Sequence, residues 1–412
     1  MNKFNTIGIV AEFNPFHNGH KYIVETLKHK NPNSVVVAVM SGHFMQRGLP
    51  AIVDKWSRAE MAIAGGVDLV VELPAVFSLQ SADVFAAASM KIMNDLQVDK
   101  VGFGIEHSSF EVLEKIANTM LFSKEYKDFL KLNLSMGNSF PNSSKKALEK
   151  LNQDFGVVKS NDTLAIAYIK QKIQNSYSFN FESISRIGED YNSLSSKNDI
   201  VSASYIRNLF SSKMINYTTL KEYIPKETFE KLYKANDYVF LDDFSDIYLA
   251  CLLTRTKEEL NEFDFNGEGL INRLLKNSYK NQKLSNIISE TKTRRYNDAQ
   301  ISRLIFSIIL GINKNYLSEI KVKEINYIRV LAMNDKGRKK LKSLSKSSLN
   351  IVQNLSRDLK KLNIADEISD YDIKATGLYS LVSESVNANS DYIKKPYIDR
   401  TYYGGNNENI SN

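Results

Sequence analysis

His17-Asn18-Gly19-His20 sets two imidazoles three residues apart with a glycine between them. If a helix starts here, the rings stand about one turn apart and can donate to the same oxygens. Upstream, Ile7-Gly8-Ile9-Val10-Ala11 is a short apolar, β-branched run that reads as a buried strand. Glu12, Phe13, Asn14, Pro15 and Phe16 follow, and Asn14-Pro15 is a turn signal. The histidines thus fall where a strand hands over to a helix N-terminus. Unpaired N–H groups and the positive end of the helix dipole there suit a phosphate chain. Gly19 lets the backbone approach a nucleotide with no Cβ in the way. The plainer alternative is two loop histidines satisfied locally or binding a metal.

The elements that must position this junction read as α/β over the first half. Strands are expected over 34–40, 68–73, 100–104 and 179–187. Helices are expected over 18–30, 54–65 (with Asp54 as N-cap and Gly65-Gly66 as stop), 78–96, 162–173 and 202–210, with several more between 110 and 153. Strands alternating with helices imply a parallel, doubly wound sheet, whose ligands bind outside the carboxyl ends of the strands. The loops 12–20, 41–50, 73–78 and 104–109 are then the ones to read. From about 212 the pattern is mainly helical: 228–234, 246–254, 269–277, 284–290, 299–310, 323–332, 348–361 and 377–388. The expected organisation is a Rossmann-like domain carrying the histidine junction over 1–211, an α-helical domain over 212–403 and a disordered tail over 404–412.

Further candidates lie on those loops. Arg47, in the donor-rich run Ser41–Gly48, can pair with a phosphate or an RNA backbone. Lys55 and Arg58 beside Trp56 read as structural. Gly104, ending the fourth strand, lets an adenine or ribose lie against the backbone, or simply makes a tight turn. Asn161 opens a helix as a cap or as a nucleotide contact. Arg186-Ile187 closes the last strand, where an arginine meets phosphate or adenine. In the second half, Arg294 and Arg295 beside Tyr296, Arg303, and the basic run Lys336-Gly337-Arg338-Lys339-Lys340 suit RNA. There cations pair phosphates and aromatics stack bases; a solvated helix face is the competing reading of the lysine run.

The order strand, Asn-Pro-Phe, H-x-G-H, helix resembles the nucleotidyltransferase superfamily, whose members transfer or attach AMP from ATP. Ser202-Ala203-Ser204-Tyr205-Ile206-Arg207 resembles its second motif, whose serine hydroxyls and N–H groups hold the outer phosphates. The chain as a whole resembles the bacterial tRNA(Met) cytidine acetate ligase family. The likeness rests on Glu12–His20, Ser41–Gly48, Gly66–Pro74, the F-G-x-E run ending at Glu106, Ser202–Arg207, Thr291–Tyr296 and Tyr327–Leu331. It departs at Ser160, where the family usually has Pro, and at Ile105, where it often has Ser.

The resemblance implies ATP as substrate, with Mg²⁺, and elongator tRNA(Met) and acetate as partners. Acetate attacks the α-phosphate to give acetyl-adenylate, and N4 of the wobble cytidine, C34, then takes the acetyl group. ATP contacts carry over to residues 7–20, Gly104, Asn161, Arg186 and Ile187. His17, His20, Ser202 and Ser204 are the catalytic candidates, since phosphoryl chemistry of this kind needs charge stabilisation more than a protein nucleophile. Cys251 has no assigned role. The rivals are an adenylyltransferase for a small cofactor precursor and a non-catalytic RNA-binding protein.

Composition bounds the rest. At 412 residues, two domains are the natural prior, and 43% hydrophobic with 25% charged residues is ordinary globular content. A single cysteine excludes an intrachain disulfide and a Cys-rich zinc site. No apolar run approaches the roughly 20 residues that span a bilayer. The first strand begins without a signal peptide, so a cytoplasmic location is expected, with no membrane partner. A net charge of +7 favours a polyanionic partner, RNA rather than DNA under the resemblance.

Overall fold

The structure is a computed structural model describing residues 5–106, 108–151, 160–185, 200–211, 216–264, 269–320, 325–344, 349–362 and 367–400. Arg186, Ile187 and the tail over 404–412 lie outside the described residues.

Four strands, β1 (Thr6–Ala11), β2 (Val35–Ser41), β3 (Leu69–Leu73) and β4 (Lys100–Ile105), form the centre of one sheet, with β5 (Asn180–Ser185) beyond β4. The chain later contributes β6 (Tyr327–Met333), β7 (Asn350–Val352) and β8 (Tyr397–Ile398). The order is β5-β4-β1-β2-β3-β6-β7, and β8 pairs with β6. β1 to β5 run parallel, while β6 lies antiparallel to β3. Val35 to Met40 are completely buried because helices cover both faces, which is why this strand reads as one unbroken apolar run.

The crossovers explain where a ligand must sit. From β1 the chain steps to β2 and β3 on one side, then returns to place β4 on the other side of β1. The connections leaving β1 and β4 therefore diverge, and a crevice opens between their carboxyl ends. The helix Asn18–Lys30 fills the face beneath that crevice through Val24 and Leu27.

Four expected helices come out differently. The expected helix over 78–96 is two, Ala75–Ser78 and Ala82–Asp95. Ser81 restarts it as N-cap, and the Gln80 carbonyl turns away to accept from Gln46 Nε2 at 3.0 Å. The segment 323–332 supplies strand β6, not a helix. Both faces of β6 are buried, so no alternation marks it, and the apparently polar Arg329 is an internal ion-pair partner. The segment 348–361 divides into β7 and the helix Leu355–Lys361, capped by Asn354. The helix expected over 377–388 lies instead over Glu367–Tyr379. The region after 211 is thus mainly helical, yet it also returns strands to the first sheet.

Candidate active site

The helix Asn18–Lys30 begins with a capping box made from histidines. His17 is the N-cap; its Nδ1 accepts the Gly19 N–H at 3.0 Å, while the His17 N–H donates to Nδ1 of His20 at 3.2 Å. Each neutral ring must then carry its proton on Nε2, which makes both rings donors there. The ring centroids are 3.8 Å apart with planes 33° to one another. Phe13 and Phe16, both buried, hold His20 from behind, with centroids 5.0 and 5.5 Å from its ring. A Cβ at Gly19 would meet Cε1 of His17 at 2.8 Å, so the glycine keeps the imidazole in place. The product is a helix N-terminus carrying two tautomer-fixed N–H donors.

The loop leading to it is braced from several sides. Asn14 is buried and ties the loop to the next one: its Oδ1 accepts the Ile52 N–H at 2.8 Å. Arg58, also buried, donates to the carbonyls of Glu12 (2.7 Å), Ser41 (3.0 Å), Val53 (3.1 Å) and Gly42. Burial pushes its guanidinium down to about 10, which leaves it charged at neutral pH. Glu12 Oε1 accepts the Gln46 N–H at 2.8 Å. Within residues 7–20, Asn14 and Glu12 thus serve the loop with their side chains, and the two histidines cap the helix that follows.

The second motif is tied to the first. Ser202 opens the helix Ala203–Ser211: its Oγ accepts the Tyr205 N–H at 3.2 Å and lies 3.1 Å from Oγ of Ser204. Arg207 of the same helix donates to the Asn14 carbonyl at 2.7 Å, linking the two motifs directly. The motif as read from sequence contained Arg207, but nothing in the spacing disclosed this reach across 193 residues. At the end of β4, Gly104 is half-buried. Asn161 Nδ2 donates to Glu106 Oε1 at 2.6 Å, and Asp162 accepts the Glu106 N–H at 3.1 Å. Asn161 therefore braces the F-G-x-E turn beside the crevice.

Under the 41–50 loop lies a buried charge cluster. Lys55 Nζ is 2.7 Å from Glu72 and 2.9 Å from Asp391; Arg329 is 2.5 Å from Asp391 and 3.5 Å from Glu72. Burial and the nearby Glu72 raise Asp372 to about 7. Its oxygens accept from the Ala75 N–H at 2.7 Å and the Tyr327 hydroxyl at 2.9 Å. The His43 ring lies tilted against Tyr379, centroids 4.4 Å apart, and is held well below its ordinary range by burial and Lys55. The loop's apparent wealth of donors is thus mostly interior; Arg47 is its exposed cation.

The expected RNA contacts separate. Arg294 is exposed and donates to Asn138 at 2.7 Å, and Arg295 is half-buried. Arg303 is half-buried and donates to the Gln46 carbonyl at 3.3 Å, supporting the 41–50 loop. Lys340 needs correction, being 5% exposed with its Nζ 3.1 Å from the Gln97 carbonyl. Lys336, Arg338 and Lys339 are exposed, but their helix Asp335–Leu344 follows β6 at the amino ends of the parallel strands, where Asn334 bonds Asp68. That is the edge opposite the histidines, roughly 15–20 Å away along the strands.

The parallel sheet, the switch point and the histidine-capped helix define a nucleotidyl transferase of the HIGH type. The family described as HIGH Nucleotidyl Transferase matches residues 4–392. The chain is 35% identical to the tRNA(Met) cytidine acetate ligase of Clostridium perfringens over 96% of its length and 100% of that protein. It is 35% identical to the protein of that name from Clostridium acetobutylicum over 95% of its length and 99% of that protein. Thermotoga maritima TmcAL superposes with TM-score 0.88 at 31% identity in its apo form, and with 0.86 at 30% bound to alpha-thio ATP. Each comparison covers 96% of this chain and 99% of the solved one. The chain belongs to the tRNA(Met) cytidine acetate ligase family.

Proposed function

We propose that this protein ligates acetate to N4 of the wobble cytidine, C34, of elongator tRNA(Met) at the expense of ATP, forming N4-acetylcytidine. The observation that carries the reading is the histidine capping box joined through Arg207 to the second motif. It offers a helix N-terminus, two Nε2–H donors and two serine hydroxyls around one crevice.

In the first step a carboxylate oxygen of acetate attacks the α-phosphorus and the bond to the β,γ-diphosphate breaks, giving acetyl-adenylate and pyrophosphate. His17 and His20 stabilise charge growing on the α-phosphate oxygens. Ser202, Ser204 and the N–H groups of the second helix hold the outer phosphates. In the second step N4 of the cytidine attacks the acetyl carbonyl, AMP leaves and the amine loses a proton. Gly104 leaves room for the nucleoside beside β4, and Arg186-Ile187 supplies a further ATP contact. Arg47, Arg294 and Arg295 contact the tRNA.

Mg²⁺ accompanies ATP. Among the described residues no group of three or more His, Cys, Asp or Glu side chains could hold a metal ion, so no step is assigned to it. Among them, too, no helix is long and apolar enough to cross a membrane. ATP and tRNA as substrates place the reaction in the cytoplasm.

The test is mass spectrometry of an unmodified tRNA(Met) transcript after incubation with protein, ATP and acetate. One acetyl group mapped to C34 supports the reading. Pyrophosphate release without RNA acetylation would retain the adenylation half and overturn the RNA half.

A further inference from the structure

A surface beside the histidines has no role in the scheme above. Asn18 of the first motif donates through Nδ2 to the Glu222 carbonyl at 2.7 Å, so the helix Tyr217–Tyr223 ends against the mouth of the crevice. This helix and the next, Lys226–Ala235, carry four aromatic rings, of which Tyr223 and Phe229 are half-buried against the core and Tyr217 and Tyr233 stand exposed. Tyr217 and Tyr233 are 38% and 58% exposed, and Tyr205, on the second-motif helix, is 37% exposed. The rings are ordered against one another. Phe229 and Tyr233 stack with planes 15° apart, Tyr217 meets Tyr233 edge-on at 5.3 Å, and Tyr205 meets Tyr223 edge-on at 5.8 Å.

Cations accompany the rings. Lys221 Nζ lies 4.8 Å from the Phe229 ring centre, and Lys234 is exposed one residue from Tyr233. Neither lysine has a carboxylate partner among the described residues, whereas Lys226 and Lys231 are paired with Glu230 and Glu60. Exposed, mutually braced tyrosines interleaved with unpaired lysines suit unpaired nucleotides, whose bases stack and whose phosphates pair. The reaction requires such a partner here. A cytidine can present N4 to a buried adenylate only after leaving its stack, and its neighbours must then be held outside.

Resting on the function proposed above, we infer that Tyr205, Tyr217 and Tyr233, with Lys221 and Lys234, form a stacking platform. It receives the unpaired anticodon-loop bases flanking the target cytidine. Its position explains how the histidine site receives a base from a folded RNA although the dense basic run lies on the opposite edge of the sheet.

The test uses the full-length protein with Tyr233→Ala, Tyr217→Ala and Tyr233→Phe. Two readouts are taken: KM for tRNA(Met) transcript, and fluorescence quenching of an anticodon stem-loop with 2-aminopurine next to the target cytidine. The alanine variants are expected to raise KM for RNA about tenfold, in keeping with the loss of one stacked base. They should abolish most quenching and leave kcat at saturating RNA unchanged, while Tyr233→Phe restores both readouts. Unaltered KM and quenching in the alanine variants would overturn the platform, whatever becomes of the reaction. A wild type that quenches the probe but releases no pyrophosphate with acetate would overturn the reaction and keep the platform.

Discussion

Two clusters of ionisable groups sit near the carboxyl ends of the same sheet and are built on opposite logic. In the histidine pair, backbone groups use one nitrogen of each ring and fix the tautomer, which defines the other nitrogen as a donor. In the Lys55–Glu72–Arg329–Asp391 cluster the side chains neutralise one another, with 0 to 6% of each exposed. Function and architecture are thus distinguished less by residue type than by what each polar atom faces. Arg303 looked as available for a ligand as Arg47 does, yet its guanidinium donates to the Gln46 carbonyl, while Arg58, read as structural from its sequence neighbours, holds carbonyls inside the protein.

Breaking the first cluster should cost activity and little else. His20→Ala is expected to lower acetate-dependent pyrophosphate release by about 10²- to 10³-fold, the scale of removing one donor at a charge-stabilising site. tRNA affinity, read by filter binding, should be retained. Wild-type release from this variant would refute the role of the pair.

Breaking the second should cost stability. Asp391→Ala leaves Lys55 and Arg329 sharing Glu72, and unpairing a buried charge costs about 3–5 kcal/mol. Denaturant unfolding would show it as a lower midpoint; an unchanged midpoint would mean the cluster is not holding the C-terminal segment in place.

Asp372 sharpens the comparison through pH. Its carboxyl is raised to about 7 in the folded protein against about 3.8 for an ordinary aspartate. The folded state therefore binds a proton that the unfolded chain releases. This contribution is complete below about pH 4 and is lost as pH rises through about 7. Asp372→Asn should be less sensitive than wild type between pH 5 and 7.5 in denaturant midpoint. Parallel pH curves for the two proteins would contradict the assignment.

The smallest effect is expected far from both clusters. Arg338 is 59% exposed and lies 3.8 Å from Asp335. Its replacement by Ala should change stability by no more than about 0.5 kcal/mol and KM for tRNA less than twofold. A large rise in that KM would return the far edge of the sheet to the RNA path.

How far the sequence was legible follows the same division. The strands β1 to β4, the histidine-capped helix over about 18–30 and the second motif could all be read, because each couples a local pattern to its own turn or cap. Strand β6 could not. An arginine inside Tyr327–Met333 breaks any two-residue alternation, and its partners Glu72 and Asp391 are far away in the chain. Charge density misled about the exposure of Lys340 for a related reason. A basic residue in a polar stretch reads as exposed until the carbonyl it serves is known. The tyrosine platform is not legible in the sequence because its rings come together only once three short helices pack.

The antiparallel pairing of β6 with β3 also has a consequence for biosynthesis. Residues 69–73 leave the ribosome early, but the strand that covers their open edge is completed only at residue 333. At about 5–20 residues per second the growing chain spends roughly 15–50 s with that apolar edge unpaired. Lys55 and Glu72 wait longer still for Asp391. A fragment ending before residue 327 keeps the histidines and both motifs, yet presents a bare Leu-Val-Val edge to its neighbours, the usual starting point for aggregation. The newly made enzyme depends on a strand synthesised much later, Tyr327–Met333, to cover the edge of its first sheet.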